Sequence, residues 1–208
     1  MALPRLKPEA STRVLIVEGH SDMYFYLAML KAIGKEGMVY VQQFGGKDNL
    51  KANLDNLMNP LFLSEKSHIA VIVDADESAE GTFKSLSMRL AELTQQEIKP
   101  SGQWTDGKPR IGLFIAPDAT TSGEIETLVW RAWSAITSNS VTKGHVEDYI
   151  AKMKDAGHSA HSPDKGLVGA LLAILNDEDP RLGAGAREGV FDFATPEFRA
   201  LREFLSEF

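Results

Sequence analysis

An alternation constrains this chain more than any other feature. Short aliphatic runs at 13–17, 39–44, 68–73 and 111–116 are each followed by a stretch whose apolar residues recur every three to four positions, at 22–33, 47–58, 82–95 and 124–136. A strand followed by a crossing helix returns to its sheet parallel to where it left, with a right-handed crossover. The third run is almost continuously apolar up to Asp74, as a strand covered on both faces must be. The expected fold class is therefore α/β: a mainly parallel, Rossmann-like sheet of four to five strands flanked by helices. Residues 100–109 are rich in turn formers and read as a loop or hairpin ahead of the fourth strand. Beyond Ser138-Asn-Ser140 only helical periods remain, at 145–156, 166–175 and 196–208. The expected division is an N-terminal tail (1–12), an α/β core (13–137) and a helical extension packed on that core (138–208).

Composition narrows the function. With 208 residues, 43% of them hydrophobic, one sizeable core is within reach. There is no cysteine, which excludes disulfides and thiolate metal sites and suits a reducing compartment. The opening MALPRLKPEASTR has no apolar segment of the signal-peptide kind, and no apolar run is long enough to span a bilayer. A cytoplasmic location without a membrane partner is expected. A net charge of −7 argues against a general nucleic-acid coat, whose affinity comes from Lys and Arg. It leaves room for an enzyme that meets phosphates through bound cations.

The acids stand where a parallel sheet binds ligands, at the carboxyl ends of its strands. VLIVEGHSDM ends the first strand on Glu18 and carries Asp22 into the first turn of the next helix. VIVDAD ends the third strand on Asp74 and Asp76, whose spacing of two keeps both side chains on one side of an extended backbone. Carboxylates brought together repel one another unless a cation joins them, and all-oxygen donors favour Mg2+ or Mn2+. Taken singly, Asp22 is explained as a helix-start residue with Ser21 as N-cap, and D-x-D is common at turns. A response-regulator receiver does not fit, because the first strand ends in Glu-Gly and the third offers two aspartates. A P-loop does not fit either, because Phe44-Gly-Gly-Lys-Asp48 lacks the required span.

The stretches Val17-Glu-Gly-His-Ser-Asp22 and Asp74-Ala-Asp76 resemble the V-E-G-x-x-D and D-x-D motifs of the TOPRIM domain, the catalytic module of topoisomerases, bacterial primases and several nucleases. The chain is most similar to small stand-alone TOPRIM proteins related to the OLD (overcoming lysogenization defect) nucleases. Gly45-Gly-Lys-Asp-Asn49 resembles their glycine-lysine turn, Gly123-Glu-Ile-Glu-Thr-Leu128 their glutamate-bearing helix start, and His161-Ser-Pro-Asp-Lys-Gly166 their late lysine. The likeness spans 13–136 and thins over the extension. It departs from the best-known members in having no ATPase half, tyrosine-nucleophile domain or primase zinc region.

The resemblance implies a Mg2+- or Mn2+-dependent phosphoryl-transfer enzyme, a nuclease acting on DNA or RNA. Glu18 would bind metal or manage a proton, Asp74 and Asp76 would hold the metal, and Asp22 would be a further ligand. Glu126 matches the late acidic position better than Glu124, whose capping-box spacing from Thr121 explains it by itself. Lys165 would neutralise the scissile phosphate, against the plainer reading of a solvated lysine ahead of a helix. Gly46 and Lys47 are weaker candidates for a phosphate at a helix start, with an ordinary turn as the alternative. The rival class is a non-catalytic TOPRIM-fold subunit that binds metal or nucleic acid and works with an ATPase or other protein partner.

Overall fold

Each aliphatic run becomes a strand: β1 (Arg13–Val17), β2 (Tyr40–Gln43), β3 (His68–Asp74) and β5 (Arg110–Ala116), with the short β4 (Gln103–Trp104) between the last two. The structure, a computed structural model, describes residues 11–160 and 162–208, so the expected tail falls outside the described residues up to residue 10. The sheet order is β2-β1-β3-β5-β4. Four strands are parallel, and only β4 runs antiparallel, pairing Trp104 with Gly112. The turn-rich segment thus supplies a short edge strand. The fold is α/β and Rossmann-like, with a five-stranded, mostly parallel sheet flanked by helices.

Strand residues alternate between two faces, and each face has its own core. Leu15, Val17, Ala70, Ile72, Phe114 and Ala116 face α1 (His20–Ala32), α5 (Ile125–Ala135), α7 (Pro163–Leu175), α8 (Leu182–Arg187) and α9 (Arg199–Ser206). Val14, Ile16, Val71, Val73, Leu113 and Ile115 face α2 (Lys47–Leu57), α3 (Pro60–Glu65) and α4 (Ala79–Thr94). The remaining helix, α6 (Ser140–Asp155), has no fully buried residue and reaches the first core only through half-buried Val146. The chain leaves β1 for the first face and β3 for the second. The crevice between their carboxyl ends is therefore the topological switch point at which such sheets bind ligands.

The extension is packed in by aromatics and by glycines. Phe204 and Trp104 stack with centroids 5.0 Å apart, and the Trp104 indole N–H donates to the Phe204 carbonyl at 3.0 Å. On α8, a Cβ added to Gly183 would lie 2.4 Å from the Ser21 carbonyl oxygen and 2.6 Å from the Tyr24 Cβ, so α8 rests directly on α1. Neither α3 nor α8 follows from the sequence periodicity. Both are single turns and a half, too short to show a period. Among the described residues no helix is long and apolar enough to cross a membrane.

Candidate functional site

Backbone geometry draws the acids together. Glu18, one residue past β1, uses Oε1 to accept the Asp74 amide at 2.9 Å, which ties the ends of the two central strands. Helix α1 starts at His20 with Gly19 as N-cap, and Asp22 Oδ2 folds back to accept the Gly19 amide at 2.8 Å. The expected N-cap Ser21 instead accepts the Gly183 amide through its hydroxyl at 3.1 Å, joining α1 to α8. Asp74 Oδ1 accepts the Ile125 amide at 2.8 Å, so the N-terminus of α5 points at the end of β3. That alignment sets Asp74 beside Glu124 and Glu126, each of which brings one carboxylate oxygen to within 4.8 Å of the others.

The site is costly as it stands. Burial, reinforced by the charges of Glu18, Asp22 and Glu126, holds Asp74 well above the usual carboxylate range. Burial likewise raises Glu18 and Asp22, in each case against a backbone amide that pulls the other way. Burial pushes Glu126 up to about 7, with Lys165 as the largest opposing influence. Its Oε2 is buried without a hydrogen-bond partner on a residue only 9% exposed. Beneath the cluster, burial and four surrounding acids keep the Tyr26 hydroxyl neutral far above its ordinary range.

Lys165, near the start of α7, brings Nζ to 2.8 Å from Glu124 Oε2, an electrostatic contact whose angle leaves that oxygen without a formal hydrogen bond. Burial lowers the Lys165 ammonium, but the carboxylates of Glu124, Glu126 and Asp74 outweigh it and leave the group above its usual value. The fold thus brings Glu18, Asp22, Asp74 and Glu126 near one another and near Lys165. His161, at the head of the stretch that carries this lysine, lies outside the described residues.

Three expectations need correction. The spacing argument does not hold for Asp76, because β3 ends at Asp74 and Asp76 turns to φ 51°, pinned by two backbone hydrogen bonds with Gly123, although its charge still reaches Glu18. Its half-exposed carboxylate points to Lys47 Nζ at 2.5 Å, while the same ammonium donates to the Asp74 carbonyl at 2.9 Å. Gly46 and Lys47 are not free for a phosphate, because the Gly46 amide donates to the Glu18 carbonyl at 2.8 Å and Lys47 is committed to the end of β3. Glu124 is not capped by Thr121; it precedes α5, and its amide donates to the Thr127 hydroxyl at 3.1 Å. Its carboxylate is thereby free to face the cluster. Sequence reasoning set Glu124 aside and missed Tyr26, although Tyr26 stands four residues after Asp22, on the same face of a helix.

All-oxygen donors, an orphaned buried carboxylate oxygen and carboxyl pKa values raised by burial suit a hard divalent cation. Among the described residues Asp74, Glu124 and Glu126 form the group able to hold one. The model of the DUF3226 family, described as proteins of unknown function, matches residues 12–208. No match was found among the curated proteins or the solved structures.

Proposed function

The chain belongs to the DUF3226 family, and from its acidic site we propose that it is a metal-dependent phosphoryl-transfer enzyme of TOPRIM type, a nuclease that hydrolyses phosphodiester bonds. The observation that carries this reading is the meeting of Glu18, Asp22, Asp74, Glu124 and Glu126 at the switch point, with the pKa values of Glu18, Asp22, Asp74 and Glu126 raised by burial and Lys165 beside them. Asp74, Glu124 and Glu126 would hold Mg2+ or Mn2+, with Glu18 and Asp22 next to them. The cation supplies positive charge for the oxygens entering and leaving phosphorus.

This chain's residues account for the rest. Glu18, whose pKa is raised by burial so that its carboxylate is a stronger base than usual, is suited to take a proton from the attacking water and return one to the leaving oxygen. Lys165 sits on the open side of the trio, with a side chain about half exposed, where it can pair with a phosphate oxygen once it lets go of Glu124. Asp76 and Lys47 brace the end of β3 that carries Asp74. A chain without cysteine suits such work in the cytoplasm.

One observation favours a second reading, a non-catalytic metal- or nucleic-acid-binding subunit acting with an ATPase or another protein: the net charge of −7 opposes unaided binding to a polyanion. Calorimetric titration of Mn2+ into wild type and Asp74→Asn, followed by incubation with plasmid, single-stranded DNA and RNA, separates the two. Loss of Mn2+ binding in the variant together with cleavage by wild type supports the nuclease. Metal binding without cleavage supports the second reading, and equal Mn2+ affinity in both proteins sinks the metal site itself.

A further inference from the structure

Helix α6 buries less than any other described helix of comparable length. It runs for 16 residues and none is fully buried, although Val146 packs half-buried against the first core. It lies against α7, and where they meet, a Cβ added to Gly166 would stand 3.0 Å from the Ala160 Cβ and 3.6 Å from the Ile150 Cδ1. Between the two helices runs an open groove of about 690 Å3 whose wall includes Lys165, the residue that reaches Glu124 in the acidic site. Lys165 is therefore shared between the groove and that site.

The lining has one chemical character. Ile150, Leu167 and Pro163 give it an apolar floor, and Tyr149 stands on its rim, 53% exposed. Tyr149 is the only aromatic among the strongly exposed large hydrophobic residues of the described chain. The cationic side chains are Lys154 and Lys165, joined by His158, and neither Lys154 nor His158 has a side-chain ion pair or hydrogen bond among the described residues. The single acid on the wall, Glu147, faces Lys143 at 3.8 Å. In a protein of net charge −7, unpaired cations beside an exposed aromatic ring at the mouth of an acidic site are out of character unless they meet an anion with a flat face.

We propose that the α6–α7 groove is the path by which an unpaired nucleic-acid strand enters the acidic site, with a base stacked on Tyr149 and backbone phosphates met by Lys154 and His158 before Lys165. This rests on the nuclease reading above. Stacking on an aromatic ring needs a splayed base, so the groove selects single strands over duplex. Sequence plays no part, because every base has a stacking face.

The test is fluorescence anisotropy with a labelled oligothymidylate of about twelve nucleotides, in EDTA so that nothing is cut and no cation is needed, against the same length of duplex. Wild type should bind the single strand more tightly than the duplex. Tyr149→Ala and Lys154→Glu should each weaken that binding roughly fivefold or more, the range expected for one stacked base. Lys51→Glu, an equal charge change on exposed α2 across the sheet, should leave it near wild type. Circular dichroism checks that the exposed substitutions leave the fold intact. If no single strand binds, if duplex binds as well, or if Lys51→Glu costs as much as Lys154→Glu, the groove is not the path. Mn2+ titration stands apart from all of these outcomes, so failure of the groove and failure of the metal site are told apart.

Discussion

Replacing Glu126 by glutamine should stabilise the metal-free protein, by an amount that depends on pH. In the fold Glu126 titrates near 7, against 4.5 for the free side chain, because it is buried among other acids. Below about pH 4.5 the group is protonated whether the chain is folded or not, and it costs nothing. As pH rises the unfolded chain gives up the proton first, so the folded state loses ground until about pH 7, where the deficit levels off. At about 1.4 kcal/mol for every pH unit, the full deficit is about 3 kcal/mol. Glutamine removes the charge but places an amide where Oε2 already lacks a partner, which returns about 1 kcal/mol. The net gain is then about 2 kcal/mol near pH 8, a rise in Tm of about 6 °C for a chain of this size, shrinking to nothing or slightly below near pH 4. The assay is thermal and urea unfolding of both proteins in EDTA across that range, repeated with Mn2+. The cation should reverse the order, since it stabilises only a folded site that can bind it. A gap that stays constant with pH in EDTA would refute the clustering, because only a carboxyl with a raised folded pKa produces this slope.

Three further outcomes follow from particular contacts. Glu18→Gln keeps an acceptor for the Asp74 amide, so circular dichroism should be unchanged while phosphodiesterase activity falls by about two to four orders of magnitude; wild-type turnover would take Glu18 out of the chemistry. Gly183→Ala pushes a methyl into α1 at Ser21 and Tyr24 and should cost about 1–3 kcal/mol in urea unfolding, with weaker Mn2+ binding because Asp22 moves along with Ser21. Phe204→Ala empties a site that is 1% exposed and stacked on Trp104, and should cost about 3–5 kcal/mol; a loss under 1 kcal/mol would mean that the extension is not held to the sheet through this ring.

The strands and the acids at their ends were legible because the strands are covered on both faces. Burial of that kind leaves unbroken aliphatic runs, and the polar residue that stops each run marks the carboxyl edge. Glu18 and Asp74 could be read that way, whereas Glu126, inside α5, was reached only through the resemblance. Asp76 could not, because the two-residue spacing argument holds only while the backbone stays extended, and the turn to φ 51° is fixed by Gly123, far off in sequence. Glu124 was hidden by a shift of helix start: with α5 beginning at Ile125, the residue that looked like a cap partner stands ahead of the helix and faces the site. Helix α8 was hidden for another reason. Its glycines weaken any helical signal, and they are there because α1 and Leu172 come too close for a side chain. In each case a tertiary contact overrode local preference.

The clamp of Gly183 on Ser21 also orders events during synthesis. Helix α1, which carries Asp22 and Tyr26, leaves the ribosome early, and Asp74, Glu124 and Glu126 follow while Lys165 and α8 are still unmade. For that interval the nascent chain holds its carboxylates with neither their lysine counter-charge nor the glycine face that fixes α1. The site is complete only when segments more than 160 residues apart have met, as in the 162-residue separation of Ser21 and Gly183. A divalent cation of the kind proposed above would meet the acidic pocket before Lys165 does, and its loading would then accompany folding rather than wait for it.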